Sequence, residues 1–173
     1  MVSGKDWADA TMQFDKLDFM LLAELCTNAR RSHVELSERV GLSTTACARR
    51  LKSLEDSVIA GYHASLDLKQ LGLGTTVVVR ISLESQSEEA LEAFEKAVIE
   101  SPSVVRCFLM SGSDDYLVTV IARDIEDFER IHKTQLSRLP KVSRIQSSFA
   151  LREVVNRIAP PAAFQQWRAP RRP

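Results

Sequence analysis

The stretch Gly41–Tyr62, GLSTTACARRLKSLEDSVIAGY, holds a helix stop, a helix start and a change of period within a few residues. Gly41 can end a helix, and Ser43 after Leu42 is a side chain suited to capping the next one. From there Cys47, Leu51, Leu54 and Val58 fall at i, i+4, i+7 and i+11, which predicts one inward apolar stripe. The outward side carries Thr44, Thr45, Ala48, Arg49 and Lys52, flanked by Arg50. Between Gly41 and Leu54 the charges are Arg49, Arg50 and Lys52, with no acid among them. Gly61 then leads into a β-type run, Tyr62 to Leu68.

Upstream, helical spacing begins at Asp15. Asp15 can cap, Asp18 suits the first turn, and Leu17, Met20, Leu21 and Leu25 share a face. Ser32-His33-Val34-Glu35 reads as a capping box opening a short helix with Leu36 and Val40 inward. The result is three helices in a short span, the last two joined by a tight turn around Gly41. Residues 1–13 show no sustained periodicity and are expected to be a tail.

Downstream the pattern alternates between strands and helices. Thr75 to Leu83 (TTVVVRISL) reads as a strand, and Ser85 to Glu100 as a helix with Leu91, Phe94 and Val98 inward. Val104 to Met110 and Tyr116 to Ala122 form a hairpin across Ser111-Gly112-Ser113-Asp114. Asp124 caps a helix with Ile125, Phe128, Ile131, Leu136 and Leu139 inward, and Val142 to Val154 closes the set. The order is β-α-β-β-α-β, the split ferredoxin-like arrangement. APPAAFQQWRAPRRP, from Ala159, is rich in Pro and Arg and is expected to lack a fixed fold.

The 173 residues carry 23 basic and 23 acidic side chains, so any polyanion contact has to be local. Acids concentrate between Glu84 and Glu100, whereas Arg152, Arg157, Arg168, Arg171 and Arg172 after Leu151 face only Glu153. No apolar run is long enough for a membrane span, and MVSGKDWADATMQ lacks the basic flank and apolar core of a signal peptide, so a cytoplasmic location is expected. Cys26, Cys47 and Cys107 are far apart, with apolar neighbours, and are expected to be small buried hydrophobes rather than metal ligands.

Two short helices joined by a tight turn can set the second into a DNA major groove. Arginine and lysine donate to guanine edges, small residues admit the backbone, and threonine reaches phosphates or thymine methyls. Ser43, Thr44, Thr45, Ala48, Arg49, Arg50 and Lys52 fit that description. An ordinary solvated helix face fits the same residues.

The motifs Leu17-Asp18, Leu42-Ser43, Arg50-Leu51-Lys52-Ser53-Leu54-Glu55 and Ile59-Ala60-Gly61-Tyr62 resemble the N-terminal domain of Lrp/AsnC regulators. Gly112-Ser113-Asp114-Asp115-Tyr116 resembles the central turn of that family's ligand-binding domain, and Arg138-Leu139-Pro140 also fits. Ser147-Ser148-Phe149-Ala150-Leu151 is similar to the branch activating branched-chain keto-acid and proline dehydrogenases. The likeness spans roughly Phe14 to Pro161. It implies an α+β fold, with an N-terminal winged helix-turn-helix and a C-terminal βαββαβ ferredoxin-like domain. The chain then divides into a tail (1–13), a DNA-binding domain (14–60), a linking strand and linker (61–74), an effector-binding and oligomerisation domain (75–158) and a basic tail (159–173). Ser57 stands where the family usually has a left-handed glycine, which would cost a non-glycine residue about 1 kcal/mol.

The same resemblance implies a regulator of amino-acid metabolism whose partners are double-stranded DNA with a palindromic operator, a free amino acid, and further copies of the chain. Apolar residues on both sheet faces predict sheet-to-sheet dimers, and the family builds tetramers or octamers from these. The amino acid is implied to bind between dimers. Asp115 would take its ammonium and the backbone amides of Ser111, Gly112 and Ser113 its carboxylate. Leu109 and Tyr116 would border the side chain, and Gln146 and Ser148 would reach in from a neighbour. A plain polar hairpin turn uses the same residue types. No catalytic residues, metal ligands or cofactor are expected, since His33, His63 and His132 have no paired nucleophile. Three other readings are an enzyme similar to sirohaem decarboxylases, a pure interaction module, and RNA binding by the ferredoxin-like half, which calls for aromatics on the central strands where this chain has Val77, Val79, Leu83, Val118 and Val120.

Overall fold

The computed structural model describes residues 14–164. These form two compact units, one made of the chain up to Ala64 together with the segment from Val155, the other of Ser65–Val154. The expected tail at 1–13 and the end of the basic tail, 165–173, lie outside the described residues.

The first unit contains helices α1 (Lys16–Thr27), α2 (His33–Val40) and α3 (Thr44–Glu55). Each start has a side-chain reason. Asp15 Oδ1 accepts from the amides of Leu17 and Asp18 at 2.9 and 3.0 Å, while Asp18 returns a carboxylate oxygen to the Asp15 amide at 3.0 Å. Ser32 and Glu35 make the same reciprocal pair before α2. Gly41 closes α2 at φ 71°, a left-handed position in which a Cβ would be strained. Leu21, Leu25, Leu36, Val40, Cys47, Leu51 and Leu54 fill the core between the helices.

Four sequence expectations change here. Val58 is exposed, because α3 ends at Glu55 and the helical stripe ends with it. Ser57 escapes the left-handed conformation. Its amide and those of Val58 and Ile59 turn back onto the Leu54 carbonyl, and its hydroxyl donates to the Ser53 carbonyl at 2.6 Å. Tyr62 to Leu68 is not a strand. A strand requires a ladder for its amides and carbonyls, and the segment has no such ladder among the described residues, so the helix-turn-helix shows no paired wing. The chain from Val155 also returns to this unit, and its 3-10 helix Pro161–Phe164, where no fixed fold was expected, packs against α1.

The second unit has strands β1 (Thr75–Leu83), β2 (Val104–Leu109), β3 (Tyr116–Ala122) and β4 (Val142–Phe149) in the antiparallel order β2-β3-β1-β4. Helices α4 (Glu88–Ile99) and α5 (Ile125–Thr134) complete the βαββαβ order. α4 starts later than its apolar pattern suggested, at a cap provided by Ser87, and β4 stops at Phe149 rather than Val154. Ile125, in the first turn of α5, is exposed rather than inward, and Leu136 belongs to a separate 3-10 helix.

The pleat divides the sheet cleanly. Val77, Val79, Ile81 and Leu83 of β1 and Tyr116, Val118, Val120 and Ala122 of β3 are buried in one core with Phe94 and Ile131 of the helices. Strand partners and neighbours of opposite parity, including Val78, Arg80, Leu117 and Thr119, lie on the other face with Phe108 of β2. Val77, Val79, Leu83, Val118 and Val120, the aliphatic positions weighed for RNA binding, are therefore on the covered face.

Candidate nucleic-acid interface and effector turn

α3 begins at Ser43, whose hydroxyl accepts from the Ala46 amide at 3.3 Å. Its inward residues Cys47, Leu51 and Leu54 are buried, which turns Thr45, Arg49 and Lys52 outward and leaves Ala48 half-buried between them. Thr44 Oγ1 lies 3.4 Å from Ser37 Oγ. Lys52 pairs with Asp56 at 2.9 Å, an exposed i,i+4 contact that raises the ammonium pKa. Arg49 is exposed and has no partner among the described residues.

Arg50 departs from its expected role. Its Nη1 reaches Asp18 Oδ1 and Asp15 Oδ2, each at 2.8 Å, so it ties α3 to the capping box of α1. The Asp18 hydrogen bond leads in raising the Arg50 pKa. For Asp15, burial alone would raise the pKa, but the Asp18 amide and Arg50 together hold it below its ordinary value. Sequence spacing could not show this link, since Asp18 and Arg50 are 32 positions apart.

The second site is the turn from Met110 to Asp115. The Met110 amide donates to the Asp115 carbonyl at 2.8 Å, closing the turn, while the amides of Ser111, Gly112, Ser113 and Asp114 donate to no other described residue. Successive free N–H groups in a turn can make an anion-binding concavity. A cavity of about 170 Å³ adjoins it, with Arg80, Asp114 and Leu117 on its walls. That is below the roughly 300–1,000 Å³ of complete ligand pockets.

Of the expected site residues, Asp115 faces elsewhere and Tyr116 borders the cavity. Asp115 is buried, with Oδ2 accepting from the Leu83 amide and Oδ1 from Gln86 Nε2, both at 2.7 Å. Its capacity is used in fastening β1 and the following loop to β3. Tyr116 borders the cavity but is almost wholly buried. Its ring lies 4.3 Å from that of Phe94 and its hydroxyl donates to Glu95 at 2.8 Å, with burial first and Glu95 second in raising its pKa. Leu109 is exposed and does not line the cavity. Gln146 and Ser148 sit on β4 opposite Arg80 and Val78, on the open face.

The acid that does border the cavity is Asp114. It accepts from Arg144 Nη2 at 3.1 Å and lies 3.9 Å from Arg80 Nε. Neither Asp114 nor Arg80 was expected from sequence. Alternation with Val78 places Arg80 on the open face, but nothing in the sequence separates Asp114 from its neighbour.

No group of His, Cys, Asp and Glu among the described residues is arranged to hold a metal. Cys47 is buried and Cys107 half-buried, its thiol pushed up to about 11 by burial and by Glu95, whereas Cys26 is exposed, against expectation. No helix among the described residues is long and apolar enough to cross a membrane.

Residues 14–55 match the AsnC-type helix-turn-helix domain, and residues 76–160 match the Lrp/AsnC ligand binding domain. The chain belongs to the Lrp/AsnC family. It is 37% identical over 150 residues to the Bkd operon transcriptional regulator of Pseudomonas aeruginosa, covering 86% of this chain and 98% of that one. It is 39% identical over 147 residues to the proline dehydrogenase transcriptional activator of Rhodobacter capsulatus, covering 84% and 96%. A transcriptional regulator of Neisseria meningitidis, solved in complex with L-methionine, superposes with a TM-score of 0.81 at 36% identity, covering 86% of this chain and 96% of that one. The family is characteristically one of DNA-binding regulators with a ligand-binding domain rather than of catalysts.

Proposed function

We propose that this Lrp/AsnC-family protein reads duplex DNA through α3 and controls genes of amino-acid metabolism in response to a free amino acid. The observation that carries the reading is Arg49, exposed and without a partner among the described residues, beside Thr45 on a helix with no acid between Ser43 and Leu54. A guanidinium free of internal partners retains its full donor set for a guanine edge or a phosphate. Thr44, Thr45 and Lys52 serve the backbone, Ala48 permits close approach, and Ser43 works as the cap.

The amino acid lies at the Met110–Asp115 turn, its carboxylate on the four free amides and its ammonium near Asp114. The small cavity is completed by a second copy, to which Gln146 and Ser148 belong. Dimers form through the open sheet face, where Phe108 is 52% exposed and Val78 and Leu117 lie beside it. Such dimers pair two recognition helices, so the operator is palindromic, with half-sites a whole number of helical turns apart. Tetramers or octamers of these dimers shift with the effector, which acts by favouring one assembly over another. The relatives named for the Bkd operon and proline dehydrogenase support amino-acid metabolism, and the complex with L-methionine supports the ligand class.

The test is footprinting of the DNA upstream of the chain's own gene, with each of the twenty amino acids in turn. Protection in two half-sites that changes with one amino acid and weakens in Arg49→Ala supports the reading. Equal protection by wild type and Arg49→Ala rejects α3 as the reading helix.

A further inference from the structure

A second cavity, of about 340 Å³, lies at the end of the sheet where β3 finishes and β2 begins. Its size is at the lower bound of small-molecule sites. One wall is the turn after Asp67, whose carboxylate accepts from the Lys69 and Gln70 amides at 3.1 and 3.4 Å. That turn presents Leu68 and Leu73. Pro102, Val105 and Ile121 supply the remaining apolar lining.

The polar edge is a three-residue cluster. Asp127 Oδ1 receives Arg130 Nη2 at 2.6 Å, Arg130 Nε at 3.1 Å and Arg123 Nη2 at 3.2 Å, and Oδ2 receives the Arg123 amide at 3.0 Å. Two cations thus share the one carboxylate that lines the hollow, with Asp124 as a further acid near Arg123. Both guanidiniums are more than half exposed and retain unused N–H groups, whereas Asp127 is buried with its acceptors occupied. Ser103 Oγ already accepts from Gln135 Nε2 at 3.0 Å.

We propose that this hollow is a binding site for a small monocarboxylate with an aliphatic body and no ammonium group. The free donors of Arg123 and Arg130 hold the carboxylate, and the apolar wall takes the hydrocarbon. An amino acid is disfavoured, because its ammonium would meet two guanidiniums, and both oxygens of Asp127, the one carboxylate lining the hollow, already accept hydrogen bonds. The site is distinct from the Met110–Asp115 turn, and occupancy stiffens the Asp67–Leu73 turn that covers it.

The test titrates the full chain with 4-methylpentanoate, followed by NMR shifts of the Leu68, Leu73 and Ile121 methyls. Saturable shifts at those methyls are expected, together with roughly tenfold weaker binding in Arg130→Gln and in Arg123→Gln. The neutral 4-methylpentanamide and leucine should leave the same methyls unmoved. Gly112→Val, at the other cavity, should bind 4-methylpentanoate as wild type does, which keeps this result independent of the amino-acid site. Absence of saturable shifts in the wild type, equal binding of the amide, or unchanged affinity in both arginine variants with a native methyl spectrum would overturn the proposal.

Discussion

Arg50 Nη1 lies 2.8 Å from Asp18 Oδ1, so a side chain of α3 is held by the first turn of α1. The neighbouring Arg49 has no such tie. Two adjacent arginines therefore have different tasks, one inside the unit and one outward. Arg50→Gln should lower the stability of the helical unit by about 1 kcal/mol, a value discounted for partial exposure. Arg49→Ala should leave the melting temperature unchanged and weaken operator binding by about 1–3 kcal/mol for a base-edge contact. Calorimetry and gel-shift titration of both variants measure the two effects separately, and a melting loss in Arg49→Ala would contradict the division.

Asp115→Ala should act on stability before it acts on ligand response. It leaves the Leu83 amide without its 2.7 Å acceptor in a buried place, at a cost of about 1–3 kcal/mol. Urea unfolding would read this loss, and a variant as stable as wild type would show that Asp115 is not a fastener.

Gly112 has open space where a Cβ would stand and no positive φ. Gly112→Val should therefore fold normally while its side chain obstructs the anion-binding turn. A thermal-shift series with the twenty amino acids should show a stabilising ligand for wild type and none for this variant.

Phe108→Asp places a charge on the open sheet face at an exposed position. Sedimentation should show smaller assemblies than wild type at equal concentration, with the far-ultraviolet spectrum retained. Unchanged assembly size would move the interface elsewhere.

Asp127 holds its proton less tightly in the folded chain than the ordinary carboxyl at 3.8, first through the Arg123 side chain and amide, then through Arg130. Its contribution is complete above that value and fades as pH falls below it, because the unfolded chain then binds the proton more readily. The melting temperatures of wild type and Asp127→Asn should differ most at neutral pH and converge in acid. A gap that widens on acidification would reverse the assignment.

Local signals were legible where the physics is local. The capping residues Asp15, Ser32, Ser43 and Asp124 were readable because a cap bonds to amides two or three positions away. The left-handed stop at Gly41 needs only one residue's conformation. The inward stripe Cys47, Leu51, Leu54 follows from helical period alone, and it failed at Val58 where the helix ended. The strand read at Tyr62 to Leu68 failed for a different reason. β-propensity describes a side chain's fit to a sheet, whereas a strand exists only with a ladder partner.

The sequence by itself determined the two halves, the βαββαβ order, the family and the outward row of α3, since period, caps and turn chemistry are properties of neighbouring residues. Only the tertiary structure decided that Arg50 is spent on Asp15 and Asp18, that Asp115 turns inward while Asp114 borders the cavity, and that Arg123 and Arg130 share Asp127. The reason is reach. A carboxylate or guanidinium has several possible partners within its length, and which one it takes depends on packing between elements far apart in the chain.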